Sequence, residues 1–219
     1  MSKLDLTYTT IPGSKISDDL LSACARLFST NYGIWSPQGY RPGKPVSMSS
    51  ERLRSQVLFD SNCGVTIAQL DDIIVGHAFY SKFIDNILGK VCWITQLVVD
   101  SNIRNRGVAK NLLNISFDPD CRICGLVTSH PFAIRSLEKA TGFKVEPTII
   151  STFAPSLIQS TPIPYIRDRP VYCSNTNCVI DTGFFVDHTE ILQLLEKEPN
   201  WVMGNLPEGH EFFAFVKRW

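Results

Sequence analysis

The sequence has no excess of either charge and no long apolar run. Its 219 residues include 21 Lys+Arg and 21 Asp+Glu, so the formal net charge at pH 7 is zero. Such a chain has no broad electrostatic field to attract nucleic acid or an acidic membrane surface, and we expect neither as a partner. No apolar stretch approaches the roughly 20 residues that a membrane-spanning helix requires.

We also expect no secretion signal. The first ten residues, MSKLDLTYTT, are polar, whereas a signal peptide needs an apolar segment. Seven cysteines, an odd number, are then expected to remain reduced thiols. We therefore expect a cytoplasmic protein, or a nuclear one, since so small a chain needs no signal to enter the nucleus.

The chain has enough apolar material for one core. Hydrophobic residues make up 44% of the sequence and charged residues 19%. A chain of this length buries a full core as a single unit. With no internal repeat and no low-complexity run, we expect one domain spanning residues 1–219.

The most informative stretch is residues 93–115, WITQLVVDSNIRNRGVAKNLLNI. Its first seven residues are β-branched, aromatic or otherwise suited to a buried strand, and a helical spacing of apolar residues begins at Val108. Between strand and helix, Gly107 and Ala109 allow a ligand close to the backbone. The first N–H groups of a helix have no intrahelical partners, so the segment predicts an anion site, with Arg104 and Arg106 adding charge.

The pattern Arg104-x-x-Gly107-x-Ala109 resembles the central signature of the GNAT superfamily of acyl-CoA N-acyltransferases. In that family, a strand leads into Arg/Gln-x-x-Gly-x-Gly/Ala at the start of a helix, and the loop holds the pyrophosphate of acetyl-CoA. The alternative is a glycine turn that only caps a helix. The resemblance implies cofactor contacts from the loop and from the preceding strand end, where a neighbouring strand splays away: Leu97, Val98, Val99, Arg104, Asn105, Arg106, Gly107, Val108 and Ala109.

A second match follows. Residues 123–128 predict a strand, Pro131 suits the first turn of a helix, and Gly142-Phe143 suits its end. This unit resembles the second GNAT signature, whose helix ends in Gly-Phe, and the two matches cover residues 73–143. Many relatives have an asparagine touching the cofactor at the position of His130, which is therefore a candidate contact or, alternatively, a helix cap.

The resemblance implies an α+β GNAT fold. This fold has a central mixed, mostly antiparallel twisted sheet with helices on both faces and splayed strands that form the acetyl-CoA cleft. Residues 63–69 and 73–79 predict a hairpin leading into it. Beyond residue 150 we expect an irregular segment with four prolines. It is followed by a strand at 178–186, a helix at 187–197 and a strand at 212–216 that complete the sheet.

The catalytic groups are less clear from the sequence. Many relatives carry a tyrosine acid at the place of Leu137 or Glu138, and histone-directed relatives hold a glutamate base near Trp93. Leucine and tryptophan cannot transfer protons in this way. His77 is the best remaining base, with Tyr80 near it, although a buried structural histidine is the alternative.

Aromatic residues mark a loop between the first two predicted helices, where the family builds the acceptor side of the cleft. Tyr32, Trp35 and Tyr40 are therefore candidate substrate contacts, with packing under the loop as the alternative. His210, Glu211 and the terminal carboxylate of Trp219 would reach the cleft only if the last strand bordered it, and they are not counted as candidates.

Cysteine spacing raises a zinc site as an alternative. Cys121 and Cys124 flank a strand start, where we expect their side chains on opposite faces, and Cys173 and Cys178 lie far along the chain. We predict no metal.

Two classes of function remain. The first is an N-acetyltransferase moving acetyl from acetyl-CoA to a small primary amine by direct attack in a ternary complex. The second is an acetyl-CoA-binding sensor or scaffold without catalysis. A protein-directed enzyme, acting on lysine or an N-terminus, is a further alternative, and a homodimer is left open.

Overall fold

One eight-stranded sheet organises the part of the chain that the computed structural model describes, residues 5–218. The strand order is β1-β2-β3-β4-β5-β8-β7-β6. Of these neighbours, β4 and β5 pair in parallel and the other pairs are antiparallel. The strands are β1 (Thr7–Pro12), β2 (Cys63–Leu70), β3 (Ile73–Asp85), β4 (Gly89–Val99), β5 (Ile123–Thr128), β6 (Val171–Cys173), β7 (Cys178–Asp181) and β8 (His210–Lys217).

Six α-helices cover the two faces of this sheet, which confirms the predicted α+β fold. They are α1 (Asp18–Asn31), α2 (Ser50–Val57), α3 (Val108–Ser116), α4 (Pro131–Thr141), α5 (Pro147–Ser160) and α6 (Thr189–Glu196). Among residues 5–218, none of them combines the length and the apolar character needed to cross a bilayer.

The two faces are defined by which side chains of β3 each helix meets. Phe79 packs in one apolar cluster with Leu21 of α1 and Leu53 of α2. On the other side, Leu112 of α3 comes so close to Gly76 that a Cβ there would lie 3.1 Å from it. We call these the α1 face and the α3 face.

Helix α5 covers the α1 face where β4, β5 and β8 lie side by side. Trp93 of β4 and Phe213 of β8 stack with ring centroids 4.9 Å apart, and Leu157 of α5 lies against the same pair. Trp93 lies opposite Ser81, which is in phase with Phe79 on the α1 face.

Helix α5 corrects the prediction of an irregular segment after residue 150. Pro155 lies inside this helix, where a proline normally costs stability. The helix face that carries Pro155 is exposed to solvent, whereas Ile150, Ala154 and Leu157 lie at helical spacing on the buried face. Burial of this apolar stripe outweighs the lost hydrogen bond.

The predicted elements near the carboxyl end are present with different bounds. Strand β7 ends at Asp181, well before the predicted residue 186. Strand β8 runs from His210 to Lys217 and lies between β5 and β7, and so it occupies an interior position in the sheet.

Candidate active site

A gap opens between β4 and β5 where their pairing stops. The two strands are paired only over residues 91–94 and 123–126. Beyond this point β4 stays paired with β3 to Val99, and β5 stays paired with β8 to Thr128. The pairing of β3 with β4 passes from Phe79↔Gln96 to Tyr80↔Ile94, so Thr95 is the extra residue of a β-bulge. The bulge lies where β4 leaves β5.

The backbone of β4 presents to this gap groups that have no strand partner. The N–H of Asp100 donates to the Val75 carbonyl at 2.9 Å, so Asp100 faces β3. Alternate residues of a strand turn their N–H and C=O groups to opposite edges, so Leu97 and Val99 face the gap. The carbonyls of Thr95 and Val99 also point away from β3, because they accept hydrogen bonds from the side chains of Tyr165 and Arg104.

The turn before α3 has the geometry that the anion-site prediction requires. Gly107 is the N-cap residue with φ 78°, a left-handed conformation that favours glycine. A Cβ placed on Gly107 would meet no atom within 4 Å, so the space above the turn is open to a ligand. Val108 and Ala109 begin the helix, and its first N–H groups point out of this end.

The two arginines of this turn have different surroundings. The Arg104 side chain donates to the Asn31 carbonyl at 2.5 Å and to the Val99 carbonyl at 3.3 Å, which ties the end of α1 to the end of β4. Arg106 is exposed and forms no side-chain hydrogen bond or ion pair within residues 5–218. It is therefore the guanidinium that can move freely to a bound anion, with the exposed Asn105 beside it.

His130 lies at the other side of the gap, at the start of α4. Its Nδ1 accepts a hydrogen bond from the Phe132 N–H at 3.2 Å, so it acts as the helix cap that the sequence left as an alternative. Burial, followed by the nearby charge of Arg104, lowers its pKa to about 4. The imidazole is therefore neutral at pH 7, and Nε2–H is the donor left for a ligand.

On the α1 face, three polar side chains meet beside the bulge. The Tyr165 hydroxyl donates to the Thr95 carbonyl at 3.0 Å. Burial raises the pKa of both Tyr165 and Tyr32, and the charge of Glu211 raises each further, which places both phenols near this carboxylate. Glu211 is 8% exposed, and burial raises its pKa to about 7, opposed by a hydrogen bond from Thr182.

An apolar wall lies next to this polar group. The Tyr32 ring stacks on Phe28 with centroids 4.3 Å apart. Phe184 meets Tyr32 edge-on at 5.6 Å and Trp35 at 5.1 Å. The structure thus brings two of the predicted substrate contacts, Tyr32 and Trp35, to the α1 side of the gap. Tyr40 is 80% exposed and is not part of the wall.

The two predicted proton-transfer residues, His77 and Tyr80, are not brought together. His77 is fully buried, its Nε2 lies 2.8 Å from Gln96 Oε1, and burial lowers its pKa to about 4. Tyr80 lies on the α3 face, packed against Gly64. Both side chains are buried, and the sheet separates them.

The residues at the two positions where relatives hold an acid, Leu137 and Glu138, have structural roles. Leu137 is fully buried in the core. Glu138 forms ion pairs with Arg135 at 3.0 Å and Lys144 at 3.2 Å and accepts from the Val145 N–H at 3.1 Å. It holds the end of α4 and does not face the gap between β4 and β5.

The cysteines form two buried groups. Cys121 precedes β5, so strand alternation does not apply, and its thiol hydrogen-bonds to that of Cys92, which Cys124 also approaches. The expectation of opposite faces for Cys121 and Cys124 is therefore wrong. Cys173 and Cys178 face each other across β6 and β7. Within residues 5–218, no group of three or more His, Cys, Asp or Glu is arranged to hold a metal ion.

Sequence reasoning missed Tyr165, and it named Glu211 only to leave it out of the candidates. Tyr165 lies in a proline-rich connection without periodicity, so nothing local marks it. Glu211 directly precedes the apolar run 212–216 within β8, and a charge at the edge of such a run was a usable signal. The carboxylate of Trp219, which the sequence analysis also named without counting it as a candidate, lies outside the described residues.

Comparison with known proteins gives one match to a family and several to solved structures. Residues 25–143 match the acetyltransferase (GNAT) family. No curated protein matches. Similar solved structures include an aminoglycoside acetyltransferase from an uncultured soil metagenomic sample, in complex with sisomicin, with 21% identity over 51% of this chain and 66% of that chain and a TM-score of 0.37. This chain thus spans just under two thirds of that relative.

Another similar structure is Arabidopsis thaliana NAA60 in complex with a bisubstrate analogue. It is 19% identical over 64% of this chain and 84% of that chain, with a TM-score of 0.44. These likenesses concern the fold alone. The family match covers more than half of the chain, including the gap-facing end of β4, the turn before α3 and helix α4, and the chain therefore belongs to the GNAT acetyltransferase family.

Proposed function

We propose that the protein transfers an acetyl group from acetyl-CoA to the primary amine of a small molecule, by direct attack in a ternary complex. One observation carries the proposal. The edge of β4 at Leu97 and Val99, which has no strand partner, lies between the turn before α3 at one end and the polar and aromatic side chains on the α1 face. Family membership supports the same chemistry.

The turn before α3 would hold the diphosphate of acetyl-CoA. The N–H groups at the start of the helix, the helix dipole and the free Arg106 guanidinium favour negative charge there. The pantothenate arm carries amides, which can pair with the open edge of β4 as an added strand would. The thioester would then lie at the bulge.

The chain contributes orientation and charge stabilisation to the reaction. Attack of an amine on a thioester places negative charge on the carbonyl oxygen, and a fixed backbone N–H at the gap stabilises it without reorganisation. Holding the amine against the thioester removes much of the entropic barrier. The acceptor must enter from the α1 face, because the diphosphate site lies on the α3 side.

One observation favours the second candidate, a binding module without catalysis. Leu137 stands where relatives carry an acid, and His77 is sealed in the core. Both candidates require acetyl-CoA binding, but only the enzyme releases CoA in the presence of an amine.

The first test is thermal stabilisation by acetyl-CoA. Binding to the native state raises the melting temperature by mass action. We expect Gly107→Glu to abolish this shift, because the new carboxylate occupies and repels the diphosphate site. Gly142→Glu is the matched control: Gly142 has the same φ of 78° and the same open space, but it ends α4.

The two variants share the backbone strain, so only loss of binding distinguishes them. If Gly107→Glu binds acetyl-CoA as the wild type does, the site is wrong. A panel of primary amines, followed by thiol release, then separates an enzyme from a binding module.

A further inference from the structure

We infer that the Glu211 carboxylate binds the ammonium group of the acceptor and accepts its proton. We further infer that the acceptor is a primary amine with an aromatic or apolar body and no carboxylate next to the amine. The inference rests on the proposed function and names the group and the substrate class that complete it.

The first observation is that Glu211 is buried without a cation. Its side chain lies on the α1 face, in phase with Phe213, and is 8% exposed. Within residues 5–218, none of the ion pairs includes it. Burying a carboxylate without a cation is costly, and strongly perturbed groups of this kind cluster at functional sites. A bound ammonium would supply the missing partner.

The second observation is its position relative to the gap. Phe212 pairs with Thr128, the last residue of β5. Glu211 is the next residue of β8 beyond the end of β5, and it therefore lies at the edge of the gap. Tyr165 lies near Glu211 and donates to the carbonyl of Thr95 in the bulge. The carboxylate and the bulge therefore both lie next to Tyr165, and an amine held by Glu211 would lie beside the thioester.

The third observation concerns the wall around the recess. Tyr32, Trp35 and Phe184 form an aromatic wall. Such a wall binds an apolar body, and the face of an aromatic ring attracts a cation. With Glu211 as a buried negative charge, an acceptor carrying its own carboxylate beside the amine would be repelled. This selects arylalkyl or alkyl amines over α-amino acids.

The proton transfers balance. The ammonium gives one proton to Glu211, the nitrogen lone pair forms the N–C bond, and the C–S bond breaks with its electron pair on sulfur. The second proton of the nitrogen goes to the leaving thiolate, and Glu211 later releases its proton to water. The products are the amide, CoA and one proton.

The acid–base properties of Glu211 are consistent with its role as the proton acceptor. Burial raises the Glu211 pKa to about 7, opposed by the Thr182 hydroxyl, and the other groups that face it are the neutral phenols of Tyr32 and Tyr165. A base with a pKa near the working pH is suited to accept a proton during reaction.

The test compares two variants with 2-phenylethylamine as the acceptor. We expect Glu211→Gln to lower kcat/KM about a hundredfold or more, in the range for loss of a general base. In the pH profile of kcat/KM, the Glu211→Gln variant should lack the rise near pH 7 and keep only the rise through the pKa of the amine. Glu211→Asp should keep part of the activity. Glu208→Gln, an exposed neighbour, should match the wild type.

The outcomes separate this inference from the proposed function. Acetyl-CoA should stabilise wild type and Glu211→Gln equally; no stabilisation of the wild type refutes the proposed function itself. If acetyl-CoA binds and Glu211→Gln keeps the wild-type rate and pH profile, the inference is wrong. It is also wrong if the wild type neither binds nor acetylates 2-phenylethylamine, or uses phenylalanine equally well.

Discussion

The Tyr165 hydroxyl donates a hydrogen bond of 3.0 Å to the carbonyl oxygen of Thr95, the extra residue of the β4 bulge. This contact joins the connection after α5 to the strand edge that faces the gap. One residue thus borders both the acceptor recess and the opening between β4 and β5.

Tyr165→Phe should lower both stability and activity. The variant leaves the half-buried Thr95 carbonyl without its donor, which costs about 1 kcal/mol, the usual net contribution of a hydrogen bond. A looser bulge should reduce kcat/KM more than it weakens acetyl-CoA binding. Denaturant unfolding and steady-state kinetics measure the two effects, with Tyr172→Phe, a 56% exposed tyrosine, as control. Unchanged stability would show that the contact contributes nothing.

The two arginines of the turn before α3 should behave differently. Arg106→Gln removes a free charge and should raise the Kd for acetyl-CoA about tenfold, with the melting temperature of the free protein unchanged. Arg104→Gln breaks the bonds to Asn31 and Val99 and should lower that melting temperature. Calorimetry with and without acetyl-CoA measures both. Equal effects of the two variants would contradict the assignment of Arg106 to anion binding and of Arg104 to stability.

His77 should make the protein sensitive to acid. Its pKa falls to about 4 in the folded state from 6.5, so the stability from its neutral, buried form is present above pH 6.5 and is lost as the pH falls through 4. A difference of this size corresponds to about 3 kcal/mol.

The measurement is the free energy of unfolding of His77→Gln between pH 4 and pH 7. We expect it to fall less steeply with acid than that of the wild type, although His130 adds a loss of the same direction. His210→Gln is the control. We also expect His77→Gln to keep kcat/KM within about tenfold; a thousandfold loss with intact folding would mark His77 as a catalytic base.

Purified protein should contain no stoichiometric zinc. Metal ligation requires thiolates, whereas burial raises the pKa of Cys124 to about 12. The contact between the Cys92 and Cys121 thiols raises the pKa of Cys92 and lowers that of Cys121, so Cys121 alone of these three thiols is shifted toward the thiolate. Elemental analysis that finds about one zinc per chain would overturn this prediction and make these cysteines a structural site.

Local chemistry made much of the fold predictable. Ser17 and Ser49 cap α1 and α2 through side-chain hydrogen bonds of 3.2 Å, and Gly142 ends α4 with φ 78°. Each of these depends on neighbours within a few residues, so the sequence pattern contains the signal. The turn at Gly107 was predictable for the same reason.

The acceptor side was not predictable, because its residues meet only through strand order. Glu211 reaches the gap because β8 pairs with β5, and Tyr165 reaches it from a connection more than forty residues earlier in the chain. Conversely, His77 was a reasonable candidate by residue type, but the packing of α1 over β3 seals it. Long-range contacts of this kind leave no local pattern.

The interior position of β8 has a consequence for biosynthesis. Of the eight strands, β8 leaves the ribosome last, yet it lies between β5 and β7. Until residues 210–217 are available, both of those strands present open edges, which can pair with other chains. The nascent chain therefore passes through a state prone to aggregation, and a truncation before residue 210 would make that state permanent.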